Sequence, residues 1–314
     1  MYDFFVSNFF MWYYVLSGIL QWFGVMNFRK IILTIFLIFL FSNRADAIKI
    51  GLITEAKNVK IASSVSAEIY DEYRKAVLYE IKPMKVYEIE PKGNQLGIVI
   101  DRELIGLGTN SIRIRPKEAG FLCVKRAWYR GDFVINNMGV GATLINDVPL
   151  EEYLKGVVPA EMPSKWNEEA LKAQAIAARS YAVATRNAGK HASKGFDLVA
   201  TTADQAYGGA SAEKESTSKA VNDTKGIVLV QNNRVLPTYY HASSGGKTKV
   251  WNSGSSFLQS VPSFDSGTKK NGHGVGMSQH GANNLAKQGY NAYQILNYFY
   301  KDFKFAKLSD NWDL

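Results

Sequence analysis

The chain has 314 residues, long enough for one large domain or two modest ones with a hydrophobic core. Its 37 Lys and Arg against 28 Asp and Glu give a formal charge of +9, while 46% hydrophobic and 21% charged residues exclude bulk disorder. The single cysteine, Cys123, excludes an intramolecular disulfide framework and any Cys-rich zinc or iron–sulfur site.

Met26-Asn27-Phe28-Arg29-Lys30 is a short basic start, followed by an apolar run from Ile31 to Phe41 and by Ala45-Asp46-Ala47. This is the three-part layout of a secretory signal peptide, and the apolar run is short for a membrane span. Residues 1–25 are rich in aromatics and lack a basic side chain. The preferred reading is an initiator at Met26, and the alternative is a membrane anchor. Removing residues 1–47 takes away Arg29, Lys30, Arg44, Asp3 and Asp46, which leaves 34 basic and 26 acidic side chains, or +8. Export to the periplasm or cell envelope is predicted. Nucleic acid is then not an expected partner, and membrane contact is expected only through an uncleaved leader.

From Ile48 to about Leu144, short alternating apolar runs broken by Gly, Asn and Pro read as strands; Ile98-Val99-Ile100 and Ile112-Arg113-Ile114-Arg115 are examples. Asn146-Asp147-Val148-Pro149-Leu150-Glu151-Glu152-Tyr153 reads as a helix start, with an Asx cap, proline and acids in the first turn. A second helix is capped by Asn167, runs through Ala170–Ala182 and ends at Gly189, with Leu171, Ala175, Ala178 and Ala182 on one stripe. Strands return at 226–230 and 235–240, and helices at about 278–287 and 292–300. Partly segregated strands and helices predict an α+β fold. The expected organisation is a leader (1–47), a β-rich N-terminal region (48–120) and a mixed domain (121–314).

Glu161 is the most informative acid. It lies between Pro159 and Pro163 among apolar residues, where both prolines push the preceding residue out of helical geometry. Apolar surroundings raise a carboxyl pKa and suit a general acid; an exposed loop glutamate is the other reading. Arg179 has Ala175, Ile176, Ala182 and Val183 as helical neighbours, so it predicts an acidic partner, a ligand or snorkelling to solvent. His241 sits at a strand end before Ala242-Ser243-Ser244-Gly245-Gly246, and His273 lies among Gly272, Gly274 and Gly276, whose spacing lets backbone approach a ligand. No zinc-ligand spacing or G-x-S-x-G elbow accompanies these residues.

The stretch from Leu144 through Val157-Val158-Pro159-Ala160-Glu161-Met162-Pro163 to Ala182 resembles the SpoIID/LytB family. So do Thr201-Thr202-Ala203-Asp204-Gln205-Ala206-Tyr207-Gly208-Gly209, Tyr240-His241-Ala242-Ser243-Ser244-Gly245-Gly246 and Gly272-His273-Gly274-Val275-Gly276-Met277-Ser278-Gln279. These motifs follow the family's order and cover roughly residues 120–302. The resemblance implies a SpoIID-like domain acting on peptidoglycan glycan strands. Sporulation members resemble lytic transglycosylases, and LytB members are described as enhancers of a cell-wall amidase.

By motif, Glu161 matches the family's catalytic acid and Arg179 an arginine needed for activity. Gln205, Tyr207, His241, Ser244, His273 and Gln279 fall in motifs implied to line the glycan groove. Some members bind zinc around the Gln-x-Tyr motif; Val199, Ala203 and Asp204 stand there in this chain, so no structural zinc and no cofactor is predicted. A segment between Ser260-Val261-Pro262 and Gly272 is shorter than in many members, implying a smaller or more open groove. The predicted activity is lytic transglycosylation, with Arg179 orienting Glu161 or binding an acidic glycan group and Asp204 as a conceivable second carboxylate. The alternative is a non-catalytic wall-binding module that stimulates an amidase.

Overall fold

Val59-Lys60-Ile61 shows how the strands form: the two apolar residues are buried and the lysine between them is exposed, the period of two expected of a pleated chain. The computed structural model describes residues 47–252 and 255–309; the proposed leader, apart from Ala47, lies outside them. Among the described residues, twelve strands come first. They are β1 (Ala47–Ala56), β2 (Val59–Ser63), β3 (Ala67–Asp71), β4 (Ala76–Ile81), β5 (Tyr87–Lys92), β6 (Gln95–Ile100), β7 (Glu103–Gly106), β8 (Ser111–Pro116), β9 (Leu122–Val124), β10 (Ala127–Tyr129), β11 (Asp132–Asn137) and β12 (Ala142–Pro149). The helices α1 (Leu150–Glu161) and α2 (Glu168–Asn187) follow, then β13 (Leu198–Val199), α3 (Glu215–Asp223), β14 (Ile227–Gln231) and β15 (Arg234–Val235). The chain closes with β16 (Tyr240–His241), β17 (Met277–Ser278), α4 (Gln279–Lys287), α5 (Ala292–Phe299) and β18 (Lys304–Lys307). The fold is α+β.

One sheet has the order β13-β1-β12-β11-β8-β3-β4 and a second the order β10-β9-β2-β5-β6-β7. In the first, β1 lies antiparallel to β12 and parallel to β13, so the sheet draws strands from both sides of residue 120. Strand β12 is buried without a break from Ala142 to Asn146, as a strand covered on both faces should be. It passes straight into α1 without a loop.

Helix α2 is the centre of the helical part and packs against α1, α3, α4, α5 and β14. Its alanines explain this: Ala173, Ala175, Ala177, Ala178 and Ala182 are all fully buried, and small side chains let five elements approach one axis. Asn167 caps it by accepting from the Glu169 N–H at 2.9 Å, and Gly189 has φ +63° just beyond its end.

Three local expectations are corrected. Asn146 and Asp147 are strand residues, because each finds a partner across the sheet that outcompetes a capping role. Asn146 Nδ2 donates to the Arg130 and Asp132 carbonyls at 2.8 and 3.1 Å, and Asp147 accepts from Arg113 Nη1 at 2.7 Å. Pro159 lies inside the last turn of α1 rather than ending it; burial of Val157, Val158 and Met162 holds that turn, and the Met162 N–H still reaches the Val158 carbonyl at 2.9 Å. The 235–240 strand is split around Pro237 into β15 and β16.

Candidate active site

Glu161 is the last residue of α1 and is half-buried. Its Oε1 accepts a hydrogen bond from the Ala206 N–H at 2.7 Å, and its Oε2 faces Gln279 Nε2 at 3.5 Å. Burial pushes the carboxyl above the usual glutamate range, although the Ala206 N–H and the Gln279 amide both favour the charged form. The negative end of the α1 dipole opposes ionisation further. A carboxyl so held keeps its proton to higher pH than an exposed glutamate and can give it to a leaving oxygen. The exposed-loop reading of Glu161 is thereby set aside.

A buried amide and hydroxyl network surrounds this carboxyl. Gln205 is fully buried; its Nε2 donates to the Tyr240 hydroxyl at 2.8 Å and the Ala178 carbonyl at 3.2 Å, and its Oε1 accepts from the Tyr153 hydroxyl at 3.2 Å. Gln279, the first residue of α4, stands 3.5 Å from Gln174 Oε1 as well as from Glu161, and Gln174 Nε2 is a buried amide without a partner. Tyr207 is also buried, with its hydroxyl donating to Asn146 Oδ1 at 2.9 Å and its ring against Gly156, where a Cβ would lie 2.6 Å from the ring. Gln205 and Tyr207 therefore shape the loop that delivers the Ala206 N–H to Glu161, and their polar atoms are engaged within the protein.

Arg179 is placed differently from the expectation. It is entirely buried and grips Glu151 in a fork, Nε to Oε1 at 2.8 Å and Nη2 to Oε2 at 2.7 Å. The remaining donors reach the carbonyls of Ile227 and Val221, both at 3.2 Å. The Gly226 N–H also donates to Glu151. This guanidinium ties α1, α2, α3 and β14 together; it neither hydrogen-bonds Glu161 nor opens to a ligand. The acidic partner foreseen from its apolar neighbourhood is Glu151.

Asp204 is likewise turned away from Glu161. Its fully buried carboxylate accepts from Lys190 Nζ at 2.5 Å, the Val199 N–H at 2.8 Å and the Tyr181 hydroxyl at 3.3 Å, and pairs with His191 Nε2 at 2.8 Å. Burial pushes this acid up, but Lys190, Val199 and His191 outweigh it and leave it below the usual range. A second catalytic carboxylate at this position does not fit. Nor does a metal, since an ammonium already occupies the carboxylate; among the described residues no His, Cys, Asp and Glu cluster has metal-binding geometry.

His241 and Ser244 face each other at 2.5 Å between Nε2 and Oγ, while His241 Nδ1 lies 3.1 Å from the Val275 carbonyl. With a carbonyl to receive the Nδ1 proton, Nε2 is the acceptor of the Ser244 hydroxyl. Burial pushes His241 down to about 4, which keeps it neutral. Behind the pair, buried Asp265 accepts from the Ser244 and Gly246 N–H groups at 2.6 and 2.7 Å and from the hydroxyls of Ser278, at 2.7 Å, and Ser263. The short segment after Pro262 is thus anchored to the turn that follows β16. The alternating glycines serve the same packing. A Cβ on Gly276, at φ +72°, would meet the Tyr239 carbonyl at 2.0 Å, and one on Gly272 would meet His241 at 2.7 Å. His273 is the exposed member of the group, its ring 5.5 Å from that of His241.

Residues 139–231 match the stage II sporulation protein (SpoIID) family model. That segment is what this chain shares with the SpoIID family. It holds Glu161, Arg179, Gln205 and Tyr207, whereas His241, Ser244, His273 and Gln279 lie beyond the matched SpoIID residues. An amidase enhancer of Bacillus subtilis is 43% identical over 109 residues, 33% of this chain and 14% of that protein. The stage II sporulation protein D of the same organism is 34% identical over 136 residues, 38% of this chain and 40% of that protein. An uncharacterised protein of Brachyspira hyodysenteriae is 41% identical over 107 residues, 33% of this chain and 28% of that protein. The chain thus spans well under half the length of these relatives.

Within the matched segment and the part that follows it, the structure brings Glu161, Gln279, Gln205 and Tyr240 together, and a separate cluster joins His241, Ser244 and His273. Arg179 and Tyr207 stand behind these groups in the core. Sequence reasoning missed Gln174 beside Gln279, the Tyr240 hydroxyl on Gln205, and Lys190 and His191 as the partners of Asp204. Tyr240 stands in one of the motifs that carry the resemblance, and Gln174 is an amide in the middle of an alanine-rich helix.

Proposed function

We propose that the protein acts on peptidoglycan and cuts its glycan strands in the manner of a lytic transglycosylase, with Glu161 as the acid. Glu161 protonates the glycosidic oxygen between N-acetylmuramic acid and N-acetylglucosamine, and the C–O bond to the leaving sugar breaks. The same carboxylate then takes the proton of the muramic 6-hydroxyl as that oxygen bonds to the oxocarbenium-like centre, which closes an anhydro end. The observation that carries this reading is the environment of Glu161: half-buried, with its pKa raised, and partnered by an amide and a backbone N–H rather than by a second acid. Hydrolytic glycosidases generally use a carboxylate pair, so a single acid suits attack by the substrate's own hydroxyl. Export through the 1–47 leader would bring the protein to this substrate.

Glu161→Gln tests the proposal. The substitution is expected to abolish release of anhydro-muropeptides from purified sacculi, read by mass spectrometry; wild-type release by the variant refutes it. The likeness to an amidase enhancer favours a second reading, in which the protein binds the wall and stimulates an amidase partner without cutting glycan. That reading expects sacculus binding with no glycan products, and stimulation that survives Glu161→Gln.

A further inference from the structure

A stacked aromatic pair lies beside the His241–His273 cluster and takes no part in the acid chemistry. Tyr239, immediately before β16, stacks on Trp251 with ring centroids 4.6 Å apart and planes 12° from parallel. Tyr239 is held from behind by buried Tyr181, edge-on at 5.7 Å, and meets exposed His273 edge-on at 6.1 Å. Trp251 remains 52% exposed. A fixed indole left half in water, on a rigid aromatic backing, marks a binding surface more than a packing element. The pair borders a groove of about 360 Å³, a volume suited to a small ligand. Its other walls combine Leu236, Pro237 and Phe257 with the amide and hydroxyl groups of Gln231, Ser255 and Ser256.

None of the described residues lining this groove is charged, in a chain whose formal charge is +9. An anionic polymer would be met by Lys or Arg, so a neutral occupant is indicated. A pyranose has an apolar C–H face that stacks on an aromatic ring and a rim of hydroxyl and amide groups that match Ser and Gln side chains. We propose that Trp251, backed by Tyr239, is the stacking platform for a neutral N-acetylglucosamine ring of the glycan strand. This subsite rests on the glycan-strand reading above. Tyr240, next in the chain, belongs to the network around Glu161, so one short strand would link the platform to the reacting site.

The test is titration of the full chain with chitotetraose, with affinity read by isothermal titration calorimetry and the Trp251 environment by tryptophan fluorescence, together with retention on purified sacculi. Wild type is expected to show a saturable fluorescence shift. Trp251→Ala is expected to weaken binding about tenfold or more, and Trp251→Phe, which keeps a ring against Tyr239, by less. If Trp251→Ala lowers thermal stability, Trp251→Phe becomes the deciding variant, since its fluorescence should lose the shift while binding persists at reduced affinity. Equal chitotetraose affinity for wild type and both variants, or no binding by wild type, overturns the platform. Binding that depends on Trp251 without any anhydro product from sacculi supports the platform and overturns the transglycosylase reading instead.

Discussion

The Ala206 N–H donates to Glu161 Oε1 at 2.7 Å across 45 residues of sequence, and this bond joins the end of α1 to the loop that Asp204 and Gln205 hold in place. It orients the carboxyl without neutralising it. Burial still leaves Glu161 reluctant to ionise, which has a measurable effect on stability.

Because the folded pKa lies above the unfolded 4.5, the folded chain binds more protons than the unfolded chain between the two values. Stability therefore falls as pH rises through that window and stays lowered above it. Glu161→Gln removes the titration while keeping an acceptor for Ala206. Its melting temperature is expected to exceed that of wild type near pH 7 and to converge on it towards about pH 4, as read by differential scanning calorimetry. This is the direction expected where activity is kept at the expense of stability.

Gln279 favours the charged form of Glu161. Gln279→Leu removes that donor and raises the pKa further. If Glu161 is the acid, the alkaline limb of anhydro-muropeptide release moves to higher pH in the variant. A merely structural role for Gln279 would lower the rate at every pH and leave the limb where it is.

Arg179 predicts a loss of stability rather than of chemistry. Arg179→Met leaves Glu151 without its fork and takes one donor from the Ile227 carbonyl and one from the Val221 carbonyl, which keeps Thr224. Destabilisation on the order of 3–5 kcal/mol is expected in urea unfolding. Glu151→Met added to Arg179→Met should recover part of it, because the uncompensated acid is then gone.

His241 sets an acid limit. Its pKa falls from 6.5 unfolded to about 4 folded, chiefly through burial, with His273 and Lys249 adding repulsion and the Val275 carbonyl and Asp265 opposing. The unfolded chain takes up the extra proton first, so stability is full above pH 6.5 and is lost as pH falls towards about 4. In His241→Gln the melting temperature should depend less on pH across that interval. An unchanged slope would mean that other groups govern the acid limit.

Much of the helical framework is legible in the chain. Asn167, the alanine run and Gly189 mark α2 by local signals: a side chain that caps, residues that favour helix, and a glycine for a left-handed turn. Ser278 likewise caps α4 by accepting from the Gly281 N–H at 3.1 Å. Asn146 misleads because its capping chemistry is also cross-strand chemistry, and only the neighbouring strand determines which is used. Pro159 misleads because tertiary burial can hold a proline-containing turn that an isolated peptide would not keep.

Composition by itself excludes a disulfide scaffold and bulk disorder, and the flanking prolines with their apolar neighbours single out Glu161. Those conclusions need only residue type and near-neighbour spacing. What the tertiary structure decided is which polar groups face one another. It turned Arg179 inward onto Glu151, occupied Asp204 with Lys190 and His191, and set Gln279 beside Glu161 from 118 positions away. A buried charge or amide is defined by its partners, and those partners come from elements distant in sequence, so their pairing is a property of the packed chain.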